Sequence, residues 1–263
     1  MKPDPQPARL TAAVIALAAS LALLGGCATV AHPNPRDPLE RLNRGTFAFN
    51  EGVDKVVLKP VATLYRDKVP SLVRTGVSNF FGNLGDVWSA ANALMQFHLQ
   101  DAEEDIARFH LNTMFGLFGI FDLASDLNIE RHREDFGQTL GRWGLPPGPY
   151  LVLPLLGPST LRDTVALPVD WRYDLISSVR PHDARAVTYG LRAVDARSNL
   201  LRVSSVLDEA ALDKYSFTRD AYLQRRRAEI FDHDEDDHEV PPPLPEDGSD
   251  PPPAGQRAPA PAR

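Results

Sequence analysis

A nucleophile needs a base beside it, and this chain offers few candidates. Ser159 or Ser125, with His132 and an aspartate, supplies the residue types of a serine-hydrolase triad, in which the imidazole takes the hydroxyl proton and a carboxylate orients the ring. Neither serine stands in a Gly-x-Ser-x-Gly elbow, and no P-loop, Gly-x-Gly-x-x-Gly or Cys-x-x-Cys occurs. His98 and His110 read as lying on separate helices, with no His-Glu-x-x-His pair. His233 to Glu239, "HDEDDHE", has the donors to chelate a divalent ion. A metal site needs a fold to order it, and this stretch reads as a solvated acidic tail. "RHRED", with Arg131, Arg133 and Asp135, and "RRR", Arg225 to Arg227, could hold phosphate through bidentate contacts. Solvated helix faces or loops explain them equally well. No enzyme, metal or cofactor chemistry emerges.

The elements that would position these residues are mostly helical. Asp37-Pro38-Leu39-Glu40 predicts a helix start with Asp37 as N-cap and Glu40 completing a capping box. "KPVATLYRDKVP" predicts a short helix between prolines. Residues 71–96 predict two helices broken near Gly82–Gly85. Asp101 with Glu104 repeats the capping box before a helix whose stripe is Ile106, Phe109, Thr113 and Met114. "SDLNIERHREDFGQTLGRWG" reads as polar and then briefly helical, and further helices follow from Ser159 and in two stretches before residue 232, "DARAVTYGLRAVDARSNLLR" and "FTRDAYLQRRRAEIFD". Strand signals are scarce.

Two apolar segments stand out. "MFGLFGIFDLA", Met114 to Ala124, carries one charge, and "LPPGPYLVLPLLGPS" is cut by prolines and glycines. Both are short of the ~20 residues that span a bilayer. Each is therefore a buried core segment or an interfacial one. Phe115, Leu117, Phe118, Ile120 and Phe121, and Leu151, Leu153, Leu155 and Leu156, are the candidate membrane contacts.

Charge is unevenly spread. Residues 1–26 carry Lys2 and Arg9 against Asp4, and residues 232–263 carry nine acids against Arg257 and Arg263. The net charge of −7 therefore leaves about −1 for residues 27–231. A near-neutral body holds no polyanion, which excludes nucleic-acid binding by the whole domain. Nor does it attract an anionic membrane, so membrane affinity must come from apolar area or a covalent anchor.

The anchor is legible in the first residues. A basic start and the uncharged run Leu10 to Leu24 lead to "Leu-Gly-Gly-Cys", the layout of a secretory signal. It resembles a bacterial lipobox, which implies diacylglycerol on the thiol of Cys27 and cleavage just before it. Each buried lipid CH₂ contributes about 0.8 kcal/mol, and two or three chains anchor stably where one does not. Ala28 after the cysteine, by resemblance to known lipoproteins, favours the outer membrane. The expected organisation is a signal at 1–26, a lipidated tether at 27–36, one helical domain at 37–231, and a disordered acidic, proline-rich tail at 232–263.

Six blocks within the body carry a resemblance. "DPLERLNRGTFAFN", "VSNFFGNL", "FHLNTMFGLFGIFDLAS", "EDFGQTLGRWG", "GPYLVLPLLGPSTLRD" and "DAYLQRR" stand in the order of the VacJ/MlaA family, outer-membrane lipoproteins of the system that maintains lipid asymmetry. The resemblance implies a mostly helical, ring-like domain in the inner half of the outer membrane. It implies a polar channel that lets misplaced outer-leaflet phospholipid move inward to a soluble periplasmic lipid-binding carrier, with a trimeric porin as partner. The polar stretch Ser125 to Asp135 is then the candidate lining or gating loop. The alternative is a structural envelope lipoprotein that scaffolds a porin or the cell wall.

Overall fold

The computed structural model describes residues 37–231. The signal, Cys27, the tether and the "HDEDDHE" stretch lie outside them. Helix α1 (Glu40–Val53) passes through a π turn (Asp54–Leu58) into α2 (Lys59–Lys68). Helix α3 (Ser71–Met95) and α4 (Leu99–Met114) pack along each other. A glycine-containing turn, the short α5 (Leu123–Asp126) and an extended strap lead to α6 (Phe136–Arg142). The antiparallel hairpin β1 (Tyr150–Leu153) and β2 (Gly157–Thr160) precedes α7 (Leu161–Tyr173). A 3₁₀ turn (Leu175–Ser178), α8 (His182–Ala210) and α9 (Lys214–Phe231) complete the described chain.

The pairings close into a circuit: α1 to the π turn, the π turn to α2, α2 to α8, α8 to α3, α3 to α6, α6 to α7, α7 to β2, β2 to β1, and β1 back to α1. The closing step is made by side chains that imitate peptides. Asn43 donates to the Tyr150 carbonyl at 2.9 Å and accepts from Val152 N–H at 2.9 Å. Asn50, two turns on, does the same for Leu153 O at 2.9 Å and Leu155 N–H at 2.8 Å. The extended apolar segment thus satisfies its backbone through β2 on one edge and α1 on the other.

Several local expectations are overturned. Helix α1 starts at Glu40 without a side-chain cap. Asp37 is buried; its carboxylate instead accepts from Asn43 at 2.9 Å and from the Tyr215 hydroxyl. Nor do Asp101 and Glu104 form a capping box, because α4 starts at Leu99 and Asp101 faces His98 at 3.7 Å. His98 and His110 belong to the start and the body of this one helix, not to two. No break divides α3 at Gly82–Gly85. Gly82 serves a close approach: a Cβ there would meet Arg131 Nη1 at 2.5 Å, and at Gly76 it would meet the Ile120 side chain at 2.9 Å. The helix accepts roughly 1 kcal/mol per glycine so that the following loop can lie against it.

The largest departure concerns which faces are inside. The stripe of α4 is not the core face: Ile106 and Met114 are exposed and Phe109 and Thr113 half-buried, while Asp101, Ala102, Asp105, Arg108 and Asn112 are buried. On α3 the buried face holds Asn83, Asp86, Ser89, Ala90, Asn92 and Ala93, and Leu72, Val73 and Leu94 are exposed. Among the described residues, thirteen apolar side chains are buried against twenty-two polar ones, and six of the thirteen are alanine. A protein that folds in water alone has the opposite balance.

Candidate functional site

The polar interior is centred on Arg108, whose position on α4 puts it at 1% exposure. Its Nη2 donates to both Asp122 oxygens at 2.7 and 2.8 Å and to Ser125 Oγ at 3.2 Å; Nη1 donates to the Ile129 carbonyl. Asn112, one turn on, donates to Asp122 at 2.9 Å and accepts from Ala124 N–H at 3.0 Å. Arg131 lies over Gly82 and bridges Asp86 at 3.0 Å and Asp122 at 3.7 Å. His132 donates its backbone N–H to Asp105 at 3.1 Å, and its ring meets Glu104 at 3.1 Å. Ser89 Oγ donates to the His132 carbonyl and accepts from Glu134 N–H, both at 3.0 Å. The stretch Ser125 to Glu134 is thus strapped to α3 and α4 by polar contacts.

These groups are electrostatically loaded. Burial pushes the Asp86 carboxyl up to about 6 against the pull of Arg131 and Arg108. Burial likewise raises Asp105. Burial works against charge on His132, but the Glu104 hydrogen bond and the nearby acids raise it overall. Asp122 goes the other way. Its burial is outweighed by Ser125, Asn112 and the two guanidiniums, which hold it below the usual carboxylate range.

A second polar cluster lines a cleft of about 150 Å³ between the hairpin, α7 and α9. Asp135 caps α6 in a full capping box with Gln138 and accepts from Arg226 Nη2 at 2.5 Å. Arg226 also reaches Asp163 at 3.2 Å and Glu229 at 3.2 Å. Tyr222 donates to Asp163 at 2.8 Å, and Arg162 pairs with the same carboxylate at 2.9 Å. Against the cost of burial, these donors hold Asp163 at about 2. Asp170 accepts from Trp88 Nε1 at 2.8 Å and from Phe136 N–H at 2.9 Å through one oxygen. Its carboxyl is raised by burial, and Asp135 raises it further. Leu153, Leu156, Pro158 and Leu167 form the apolar wall.

The outer surface reverses this chemistry. Phe115, Leu117 and Phe118 are 60% exposed or more, and Ile120 and Phe121 nearly half. Leu155 and Leu156, at the hairpin tip, are also exposed, whereas Leu151 and Leu153 are half-buried. Apolar exposure extends well beyond these candidates, to Phe49, Val56 and Leu64 on the α1–α2 path and to Phe97, Val165 and Trp171. No helix among the described residues is long and apolar enough to cross a membrane.

The candidate residues therefore separate. Arg131 sits in the Arg108 lattice, Asp135 in the cleft, and Arg133 is exposed between them. Of the "RRR" run, Arg226 is buried in ion pairs, while Arg225 stays 70% exposed beside Glu229. Ser125 is bonded to Asp122 and Arg108, and Ser159 to Thr160 and Thr164, so neither meets the His132 ring. Sequence reading passed over Arg108, Asp86, Asp105, Asn112 and Asp170. Their signal was present: Asp101, Asp105, Arg108 and Asn112 recur at intervals of four, three and four, one helical face.

Comparison with known proteins places this arrangement. The family model described as "MlaA lipoprotein" matches residues 35–229. The Escherichia coli (strain K12) protein called intermembrane phospholipid transport system lipoprotein MlaA is 36% identical over 217 residues, 80% of this chain and 85% of that one. The Haemophilus influenzae protein of the same name is 35% identical over 233 residues, covering 85% and 90%. A chain solved in work on the structural basis for maintenance of bacterial outer membrane lipid asymmetry superposes with a TM-score of 0.66 at 35% identity, over 74% of this chain and 98% of that one. With nearly all its described residues matched, the chain belongs to the MlaA lipoprotein family.

Proposed function

We propose that this protein is a phospholipid conduit of the outer membrane, removing mislocalised phospholipid from the outer leaflet and passing it to a periplasmic carrier. The observation that carries the reading is the reversal of inside and outside. A surface of Phe, Leu, Ile and Val over α1, α2, the 115–121 turn and the hairpin tip suits acyl chains, and an interior of paired Asp, Arg and Asn suits a headgroup. A zwitterionic or anionic headgroup crossing a leaflet needs polar partners along its way, since burial without them costs several kcal/mol. The closed circuit of elements provides a wall that can keep those partners together without a spanning helix.

The strap Ser125 to Asp135 is the lining or gating loop in this reading, held by Arg108 and Arg131 until lipid passes. The ring sits in the inner half of the outer membrane, facing the periplasm, and Cys27 holds it there by its lipid. A trimeric porin is its membrane partner. The exposed apolar belt and the lipobox support the membrane placement and the anchor, while the porin rests on the family resemblance alone.

Deleting the gene tests the reading. Outer-leaflet phospholipid, read by surface labelling, rises in the deletion and returns with the wild-type gene but not with Cys27→Ala. A structural scaffold would instead lose a porin or wall contact with surface phospholipid unchanged, and that result overturns the conduit.

A further inference from the structure

We propose that His132 is a proton-operated latch on the strap Ser125 to Asp135, holding the strap on α4 while the imidazole is charged and releasing it when the proton leaves. The inference rests on the strap being the gate of the phospholipid conduit and adds a regulation to it. The strap crosses α4 where three acids, Asp101, Glu104 and Asp105, lie close together on the helix. His132 Nε2 stands 3.1 Å from Glu104 Oε2 and 3.9 Å from Asp101 Oδ1. The backbone N–H of the same residue donates to Asp105 Oδ1 at 3.1 Å. One strap residue thus meets all three carboxylates. Asp105 is wholly buried and Asp101 nearly so. Water screens them poorly, and a charge on the ring counts for more than it would at an open surface.

The other charged groups around the ring come from α3, α4 and the strap itself. Arg108 on α4 is turned to Asp122 at 2.7 Å, and Arg131 on the strap is bound to Asp86 of α3 at 3.0 Å. His98, just before α4, lies across Asp101 at 3.7 Å. Glu134 is held by Gln96 at 2.7 Å, Glu130 reaches Glu104 through its backbone, and Arg133 is exposed. His132 is the strap's only histidine, the side chain that changes charge near neutral pH. Burial opposes its charge, but the Glu104 hydrogen bond and the nearby acids outweigh burial. The latched ring therefore keeps its proton to a higher pH than a free imidazole does. Losing the proton turns a charge-assisted hydrogen bond into an ordinary one, about half as strong. The strap loosens as pH rises through the raised value. Asp86 pulls the other way: burial holds it up at about 6, and its ionisation tightens the hold on Arg131. That change is nearly complete by about pH 7, and above it His132 sets the trend.

The test uses the full lipidated chain in proteoliposomes, with a nitroxide label at Leu127→Cys, an exposed strap position. Cys27, the only native cysteine, carries the lipid in this reading, so the label has one site. The expected result is a mobile fraction that grows at least about twofold between pH 6.5 and 8.5, with transfer of fluorescent phosphatidylethanolamine to serum albumin rising in step. In His132→Gln, which keeps a donor but no titratable charge, the strap is mobile at both pH values. In His132→Arg, which keeps the charge, it is held at both. A control label at Val203→Cys, exposed on α8, reports that the variants fold and stays unchanged. Strap mobility that ignores pH with His132 in place, or a pH response that survives His132→Gln, overturns the latch. Transfer that continues at both pH values in that case leaves the conduit standing. Absence of transfer at either pH overturns the conduit as well.

Discussion

Two consecutive stretches of this chain live in opposite surroundings. From Phe115 to Phe121 the side chains point out, with Phe118 at 72% exposure. From Asp122 to Glu134 the chain alternates: Leu127 and Arg133 are exposed, while Asp122 turns in to join Arg108, Arg131, Asn112 and Ser125. The first stretch hinges at Gly119, at φ +91°, with Asn83 packed where a Cβ would go. What differs is the medium each stretch needs. The first leaves most of its apolar area uncovered by protein; the second needs polar partners and finds them on α3 and α4. Apolar residues normally supply the core, and here they supply the boundary.

The contrast is broken most forcefully by exchanging the two roles. Arg108→Ala removes a buried guanidinium and leaves the half-buried Asp122 with Arg131, Ser125 and Asn112 alone, so it should cost about 2–4 kcal/mol in chemical denaturation. Phe118→Ser should change stability in detergent by less than about 0.5 kcal/mol, yet reduce penetration into lipid monolayers. Were Phe118→Ser the more destabilising in detergent, the turn would be core rather than boundary.

That pair also explains what could be read beforehand. The position of α2 follows from its flanking prolines, a helix near α7 was legible from Ser159 on, and the too-short apolar segments were recognisable as such. Periodicity also located the stripe Ile106, Phe109, Met114 on α4. It could not say that the stripe is not the core face, because the period marks two unlike faces and the solvent decides which is buried. The same limit hid Arg108 and Asp86. Glycine misled for another reason: at Gly82 it reads as a helix breaker, and only the loop from 120 to 134, remote in sequence, reveals the close approach. Asp37 and Asp101 look like caps because capping is local, whereas Tyr215 beside Asp37 and His132 beside Asp101 are tertiary partners.

A smaller effect sharpens the boundary itself. Gly119→Ala combines an unfavourable φ with a Cβ 2.6 Å from the Asn83 side chain. It should cost about 1–3 kcal/mol and speed hydrogen exchange in 120–134 more than in α8. Uniform exchange throughout would place the hinge elsewhere.

The smallest effect is in pH, and it belongs to the inner stretch alone. Burial holds Asp86 up at about 6, so the folded state takes its proton before the unfolded chain does. This group's contribution grows as pH falls from 7 through 6 and is complete below its ordinary value of about 4. His132, raised overall by Glu104 and its acidic neighbours, acts in the same sense, its contribution fading as pH rises through its folded value. Stability measured at pH 5.5 should therefore exceed that at pH 7.5 by on the order of 1 kcal/mol, and Asp86→Asn should remove most of the difference. An unchanged difference in Asp86→Asn would free Asp86 of the role.

The most direct measurement uses two phospholipid probes in reconstituted bilayers, one with a photo-crosslinker at the end of an acyl chain and one with it in the headgroup. The account predicts that the acyl probe marks Phe115 to Phe121 and the outer face of α1 and α2, while the headgroup probe marks the interior around Asp86, Arg131 and the Asp135–Asp170 cleft. Headgroup crosslinks confined to the outer apolar surface, with the interior untouched, would contradict the conduit.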